Sequence, residues 1–243
     1  MKKITVIGSG NAFHDDGRAH ACLLLEHSGG RRVLIDAGAT ALHGLRRKNI
    51  ALESIDGVVL THFHGDHYLG LPFLLLHANF VEHRERPFVI AGPPGVEARC
   101  RSLIELAYED VDYSFEIQFI EASAPLSLHG FEITPMPVTH SAESTGYRIE
   151  GPAKRTIAVS GDAILDDRLW KLIDGVELSI IELGLLEQRD PPLAHIAVDE
   201  LLDQRERLHE QRIVFVHLDD ATARAVREHR LGEAATDGME ISL

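Results

Sequence analysis

The amino-acid sequence predicts an α/β fold in which β-sheets are covered by layers of helices. Short apolar runs rich in Val, Ile and Leu recur along the chain and are bounded by Gly, Pro or His. Segments with apolar residues at helical spacing lie between these runs in both halves of the 243-residue chain. Strands that alternate with helices are typical of sheets with helices packed on their faces. We expect a single domain over residues 1–243, because no linker divides the chain.

The predicted strands share a short length, a high content of Val, Ile and Leu, and turn residues at their ends. They are Ile4–Ile7, Ala21–Glu26, Arg32–Ile35, Gly57–Leu60, Phe88–Ile90, Phe115–Glu121, Leu126–Leu128, Glu132–Pro135, Thr145–Ile149, Thr156–Val159, Glu177–Ile181, Ile213–Val216 and Met239–Ser242.

The predicted helices lie between these strands, and two of them have a proline near their start. Pro72 and Pro94 are tolerated there because the first turn of a helix does not need the missing N–H. The predicted helices are Ala39–Arg47, Leu71–His83, Pro94–Ala107, Ala163–Leu172, Ala197–His209 and Ala221–Arg230.

Composition and charge exclude several classes of protein. Apolar residues make up 44% and charged residues 26%, a globular balance that excludes disordered and fibrous chains. The net charge of −14 disfavours tight binding to a nucleic-acid backbone.

Cys22 and Cys100 form no metal pair or disulfide framework, which favours a reducing compartment. The longest apolar block, Leu69 to Leu76, is too short to span a bilayer, so we expect a soluble, cytoplasmic protein.

The most informative feature is a cluster of histidines directly after a predicted strand. The chain has 15 histidines, and His62, His64 and His67 lie with Asp66 within six residues. In an extended backbone His62 and His64 point to the same side. Gly65 permits a bend, after which Asp66 and His67 lie at the entrance to the Leu71–His83 helix and face back. Imidazole and carboxylate ligands suit Zn²⁺, and also Mn²⁺ or Fe, so the segment predicts a metal site.

The His62-x-His64-x-Asp66-His67 motif resembles that of the metallo-β-lactamase superfamily, which has a four-layer αββα sandwich fold with a metal site at the sheet edges. The resemblance implies three more ligands in the order His, Asp, His, each after a strand. The implied cofactors are two divalent metal ions, with zinc favoured and Mn or Fe as alternatives. The implied first site is His62, His64 and His140, and the second is Asp66, His67 and His217, with Asp162 bridging the two. Asp36 matches an upstream aspartate that orients ligands.

Further stretches resemble the ribonuclease Z branch of this superfamily, and together they cover nearly the whole chain. They are residues 8–10, 22–26, 61–76, 92–95, 145–149 and 194–217. Enzymes of that branch carry a long arm that grips tRNA after the Gly-Tyr-Arg-Ile stretch. Here the next strand follows too soon to leave room for an arm, which argues against tRNA maturation. The resemblance also suggests a homodimer.

The branch resemblance assigns catalytic roles to two residues beyond the metal ligands. His195 stands where a histidine acts near the scissile phosphate, and Glu182 matches an acidic residue that holds it. Ile181 replaces a histidine of the family pattern, so this relay departs from the branch. His195 either donates a proton to the leaving alkoxide or stabilises charge, and both roles stay open. Asp66, besides binding metal, would orient the nucleophile or accept its proton.

These observations predict a binuclear metal-dependent hydrolase, foremost a phosphodiesterase that uses a metal-bridging hydroxide on a small or short phosphodiester. The first alternative is a lactonase, thioesterase or arylsulfatase, since the same hydroxide serves those reactions. The second is a tRNA 3′-end endonuclease of the ribonuclease Z type. The least favoured is a non-catalytic metal-binding module, because mere recognition does not need a complete ligand set.

Overall fold

Two β-sheets pack face to face, and helices cover the outer face of each. The structure is a computed structural model that describes residues 3–14, 16–151, 154–208 and 212–243. Each sheet has seven strands in the described part of the chain. The arrangement confirms the predicted α/β class and the αββα sandwich.

The N-terminal sheet has the strand order β14-β1-β2-β3-β4-β5-β6. Strands β14, β1, β2 and β3 pair antiparallel, whereas β3 to β6 are parallel. The bounds are β1 Lys3–Gly8, β2 Cys22–Glu26, β3 Arg32–Ile35, β4 Gly57–Val59, β5 Phe88–Gly92, β6 Ile117–Glu121 and β14 Glu240–Ser242.

The C-terminal sheet has the order β13-β12-β11-β10-β9-β8-β7. Strands β7 to β10 pair antiparallel, whereas β10 to β13 are parallel. The bounds are β7 Leu126–Leu128, β8 Phe131–Pro137, β9 Thr145–Glu150, β10 Thr156–Val159, β11 Leu178–Glu182, β12 Ile213–Val216 and β13 Glu233–Ala234.

The helices form the two outer layers. In the described ranges, three of them cover the N-terminal sheet, three cover the C-terminal sheet, and a single-turn helix, α2, lies at the strand ends. The bounds are α1 Ala41–Arg47, α2 Gly65–Tyr68, α3 Leu71–Phe80, α4 Val96–Ala107, α5 Asp167–Ile173, α6 Val198–Asp203 and α7 Asp220–His229. No helix in the described residues is both long and apolar enough to cross a membrane.

Alternation along the strands builds three apolar cores. In β2, Leu23 and Leu25 face the opposite sheet, whereas Leu24 packs under the helices. In β10, Ile157 faces inward and Ala158 faces the outer helices. Each sheet therefore buries both of its faces, and the carboxyl ends of its parallel strands meet at one edge of the sandwich.

Two helix boundaries differ from the sequence prediction for local reasons. The helix predicted over Ala163–Leu172 begins only at Asp167, because the Asp166 side chain caps it by accepting the backbone N–H groups of Arg168 and Leu169. The helix predicted to reach His83 ends at Phe80, and His83 has a left-handed backbone with φ 52°.

Three further differences concern short elements. Asp66 and His67 lie in the separate helix α2, not at the entrance to α3. The helix predicted over Ala197–His209 comprises α6 and a 3₁₀ turn at Arg205–Leu208, with His209 outside the described residues. Strand β13 was not predicted, because two residues are too short to give a pattern.

Candidate metal centre

The predicted metal ligands converge at the edge of the sandwich where the parallel strands end. His62 and His64 follow β4, Asp162 follows β10 and His217 follows β12. The backbone turns sharply there: His217 has φ 59° and Gly161 has φ 60°. A Cβ at Gly161 would press against the Thr61 side chain, so glycine lets the two sheets approach at the site.

The structure brings together all seven residues assigned to metal by the resemblance. Within each of two groups the candidate ligand atoms lie within 4.8 Å of one another, and Asp162 belongs to both. The first group is His62, His64, His140 and Asp162; the second is Asp66, His67, Asp162 and His217. The grouping matches the division implied by the resemblance.

The Asp162 carboxylate occupies the middle of the cluster. Its Oδ2 lies 3.8 Å from Nε2 of His62 and 3.7 Å from Nε2 of His140. The same oxygen lies 3.4 Å from Nε2 of His217, and Oδ1 lies 3.2 Å from Nε2 of His67. One carboxylate thus faces imidazoles of both groups, as a bridging ligand would.

Buried hydrogen bonds fix the orientation of the imidazoles on the β4 side. Asp36 accepts Nδ1–H of His67 at 2.8 Å, the backbone N–H of Thr61 at 2.7 Å and the Thr61 hydroxyl at 2.8 Å. The Thr61 hydroxyl oxygen in turn lies 3.1 Å from Nδ1 of His62. With Nδ1 donating in both rings, Nε2 of His62 and His67 keeps a lone pair for a metal.

A similar contact orients His140. Its Nδ1 lies 2.6 Å from the backbone carbonyl oxygen of Ala194, which can only accept a hydrogen bond. Its Nε2 therefore points inward, 3.0 Å from Nδ1 of His64. The two nitrogens face the same point, as two ligands of one ion do.

The electrostatics of the cluster favour bound positive charge. Burial lowers the pKa of His62 to about 2. Burial acts in the same direction on His67 and His217, but the neighbouring carboxylates together outweigh it. Asp162 and Asp36 raise the pKa of His67 well above its usual range, and Asp162, Asp66 and Glu182 raise that of His217 to about 9. Despite burial, the facing imidazoles hold the carboxyl pKa values of Asp66 and Asp162 well below their usual range. Protons or divalent cations can supply the positive charge that these carboxylates attract.

Unpartnered buried atoms show that the residues fit a bound metal. Among the described residues, Nε2 of His62, Nε2 of His67 and Oδ1 of Asp162 are buried and lack a hydrogen bond of suitable geometry, although the last two atoms lie 3.2 Å apart. Buried polar atoms almost always have a partner in folded proteins, so these three atoms are available to bind a metal ion. Their donor set of imidazole and carboxylate suits a borderline divalent cation.

His195 lies beside this cluster and is held by Glu182. Its Nδ1 lies 2.8 Å from Oε1 of the fully buried Glu182, so this contact is present although Ile181 replaces a family histidine. Burial opposes the charged imidazolium, but Glu182 raises the pKa of His195 above its usual value. The His195 ring lies 4.9 Å from that of His140 and 5.1 Å from that of His217. His195 thus faces the space in front of both groups.

Sequence reasoning missed two residues that shape the site. Thr61 links Asp36 to His62, and the one available signal was its position directly before the motif. Tyr147 of β9 is fully buried between the sheets, and its hydroxyl donates to the Leu60 carbonyl at 2.8 Å. Nothing in the sequence pattern indicated that contact, because it joins residues of different sheets.

The sequence is similar to those of ribonuclease Z proteins over part of their length. Ribonuclease Z of Staphylococcus epidermidis is 36% identical over 121 residues, which cover 49% of this chain and 39% of the relative. Ribonuclease Z of Staphylococcus carnosus is 32% identical over 154 residues, covering 62% of this chain and 50% of the relative. The chain therefore spans half or less of the length of these relatives.

Solved structures match over nearly the whole chain. YhfI from Bacillus subtilis, a metallo-β-lactamase fold protein, superposes with a TM-score of 0.79 at 21% identity and covers 99% of both chains. The short form of human tRNase Z gives 0.79 at 21% identity, covering 99% of this chain and 98% of that one. A diphosphatase of the PhnP family gives 0.74 at 20% identity, covering 100% and 98%.

These matches confirm the metallo-β-lactamase fold and the resemblance to ribonuclease Z. A family model described as "Anti-Pycsar protein Apyc1" matches residues 2–235, almost the full sequence. The chain belongs to the Anti-Pycsar protein Apyc1 family.

Proposed function

We propose that this chain is a metal-dependent phosphodiesterase that holds two divalent cations, with zinc favoured over Mn or Fe. The observation that carries the proposal is the convergence of two ligand groups on the shared carboxylate of Asp162. When bound, such a pair of ions lowers the pKa of a coordinated water and neutralises charge on phosphoryl oxygens. We assign His62, His64 and His140 to one ion, and Asp66, His67 and His217 to the other, with Asp162 between them.

The remaining chemistry belongs to Asp66, His195 and Glu182. Asp66 Oδ2 lies 3.2 Å from Nε2 of His217 and 3.4 Å from Nε2 of His67, within the second ligand group. We assign to this carboxylate the further role of orienting an attacking water and accepting its proton. Glu182 accepts Nδ1–H of His195, which leaves Nε2 of His195 to face the substrate. There it stabilises a phosphoryl oxygen or donates a proton to the leaving alkoxide.

The test combines metal content with a substrate panel. Purified wild-type protein should hydrolyse bis-p-nitrophenyl phosphate faster than a p-nitrophenyl carboxylic ester or sulfate. His140→Ala and Asp162→Ala should lose metal and turnover together, whereas His229→Ala, at an exposed position of α7, should keep both. Preference for the ester or sulfate would favour the lactonase, thioesterase or arylsulfatase alternative. Absence of turnover with metal bound would favour a binding module.

The ribonuclease Z relatives support a second candidate, cleavage of precursor tRNA at its 3′ side. Two features of this chain weigh against it. Thr156 pairs with Glu150, so β9 and β10 are joined by residues 151–155 alone, where the branch carries its arm. The net charge of −14 also repels RNA. Cleavage of a precursor tRNA by the wild-type protein, lost in Asp162→Ala, would establish this candidate instead.

The family description adds a biological role to the proposal. We extend the anti-Pycsar role named for the family to this chain, acting in the cytoplasm as a homodimer on a small phosphodiester. Co-expression with a Pycsar system should suppress Pycsar activity for the wild type and not for Asp162→Ala. Light scattering after size-exclusion chromatography tests the homodimer.

A further inference from the structure

A second cavity lies beside the metal centre, between α1 and the loop that follows β1. It has a volume of about 350 Å³, within the range of small-molecule sites. Ile7 and Ala19 form apolar parts of its wall, and Thr40 also lines it. None of these residues belongs to the candidate metal ligands, so the cavity is a separate feature of the fold.

The cavity gathers basic side chains in a chain whose net charge is −14. Its lining includes Arg47 and Lys48, at the end of α1, together with His14 and His43. Lys48 Nζ donates one hydrogen bond, to the carbonyl oxygen of Gly238 at 3.0 Å, which leaves two donors. Arg47 is exposed and forms no ion pair among the described residues, so its guanidinium is available to a ligand.

Among the described residues one acidic side chain, that of Asp237, lies in the lining, and it is already partnered. Asp237 accepts the backbone N–H and hydroxyl of Ser9 at 2.9 and 2.8 Å, and the backbone N–H of Ala19 at 2.7 Å. Both of its oxygens are directed at the wall rather than at the cavity. The described residues therefore present free cationic donors and a satisfied carboxylate to the cavity, which favours an anionic ligand.

The cavity adjoins the metal centre through His20. The His14 ring lies 5.4 Å from that of His20, and the backbone N–H of His20 donates to the Thr40 hydroxyl at 2.8 Å. A Cβ at Gly38 would collide with both the His20 side chain and the Asp66 carbonyl oxygen, so these three residues are in contact. The His20 side chain thus separates a molecule bound in the cavity from Asp66, which is a candidate metal ligand.

We propose that this cavity is a second ligand site, which binds a small organic phosphate through Arg47 and Lys48. Arg47 supplies a planar set of donors that matches phosphate oxygens, and Lys48 adds a point charge. The volume exceeds what a bare phosphate would fill, so an attached organic group can lie along Ile7 and Ala19. The site stands apart from the proposed hydrolysis, because binding here needs no turnover.

The test is isothermal titration calorimetry of the full-length, metal-loaded protein at low ionic strength, with adenosine 5′-monophosphate and inorganic phosphate as separate probes. The double variant Arg47→Gln/Lys48→Gln should weaken binding at least about tenfold, since hydrogen bonds to charged groups contribute that much or more. Arg46→Gln is the matched control, because Arg46 is the preceding residue of α1 and faces His77, with Nη1 2.7 Å from Nε2. It should bind as the wild type does.

The two probes distinguish the sources of the phosphate group. Tighter binding of the nucleotide would show that the organic part enters the cavity, whereas equal affinities would identify phosphate alone as the ligand. Arg47→Glu is an exposed charge reversal that tests the site if the double variant does not fold. It should abolish binding at this cavity and leave any binding of the probes to the metal ions unchanged. The proposal is overturned if the wild type binds neither probe, or if Arg47→Glu and Arg46→Gln bind as tightly as the wild type.

Discussion

The Nδ1 atom of His67 lies 2.8 Å from Oδ2 of Asp36, a carboxylate that is 4% exposed and has a left-handed backbone with φ 59°. The same side chain accepts the backbone N–H of Thr61. Through these hydrogen bonds Asp36 connects the end of β3 to Thr61, which follows β4, and to His67 in α2. Aspartate and asparagine adopt this backbone conformation more readily than other residues with a Cβ, so the position serves geometry as well as hydrogen bonding.

Asp36→Asn should weaken metal binding about 10–100-fold while the fold is kept, because the His67 ring loses its charged acceptor. Asp36→Ala should add a loss of about 1–2 kcal/mol in the free energy of unfolding, since alanine is strained at this φ. Competition with a chelator measures the first effect, and urea unfolding of the metal-free proteins measures the second. Wild-type metal affinity in Asp36→Asn would refute the role of Asp36.

Glu182→Gln should keep metal content and lower kcat about 10–100-fold on bis-p-nitrophenyl phosphate, because the amide no longer fixes the His195 ring as the carboxylate does. Glu228→Gln, on the exposed face of α7, is the matched control and should leave kcat unchanged. Metal analysis and steady-state kinetics are measured on the same preparations. Full turnover in Glu182→Gln would remove Glu182 from the mechanism.

Tyr147→Phe should lower the free energy of unfolding by about 1–3 kcal/mol, because the buried Leu60 carbonyl loses its donor. Tyr113→Phe should have a different effect on the free energy of unfolding. The Tyr113 hydroxyl is buried and makes no hydrogen bond among the described residues, so its removal should be neutral or stabilising. Urea denaturation of both variants checks the contrast, and equal losses would contradict it.

Asp56→Asn should remove a pH-dependent part of the stability. Burial raises the pKa of Asp56, but the Arg32 backbone N–H and the Arg86 and Arg31 guanidinium groups lower it further, to below its ordinary value. The stabilisation is therefore complete above the unfolded pKa of about 3.9 and is lost as the pH falls through the native pKa.

At pH 7 the Asp56→Asn variant should be less stable by about 1.5–3 kcal/mol. The difference from wild type should shrink as the pH approaches 3, as measured by urea unfolding at each pH. The exposed Asp203→Asn serves as control and should follow the wild-type curve. A difference that stays constant with pH would contradict the assignment.

The sequence predicted where the metal ligands lie better than it predicted the groups that orient them. His62, Asp162 and His217 could be placed together because each directly follows an apolar run, and parallel strands end at a common edge. The cap at Asp166 delayed the start of α5, which apolar spacing alone does not reveal. The Ala194 carbonyl that orients His140 could not be predicted, because packing between distant segments sets that contact.

Anomalous X-ray diffraction at the zinc edge, on crystals of the zinc-loaded protein, tests the central claim most directly. We predict two peaks per chain at the sheet edge, each about 2.0–2.2 Å from nitrogen or carboxylate oxygen ligands, with Asp162 touching both. Peaks away from these residues, or none at all, would contradict a binuclear centre.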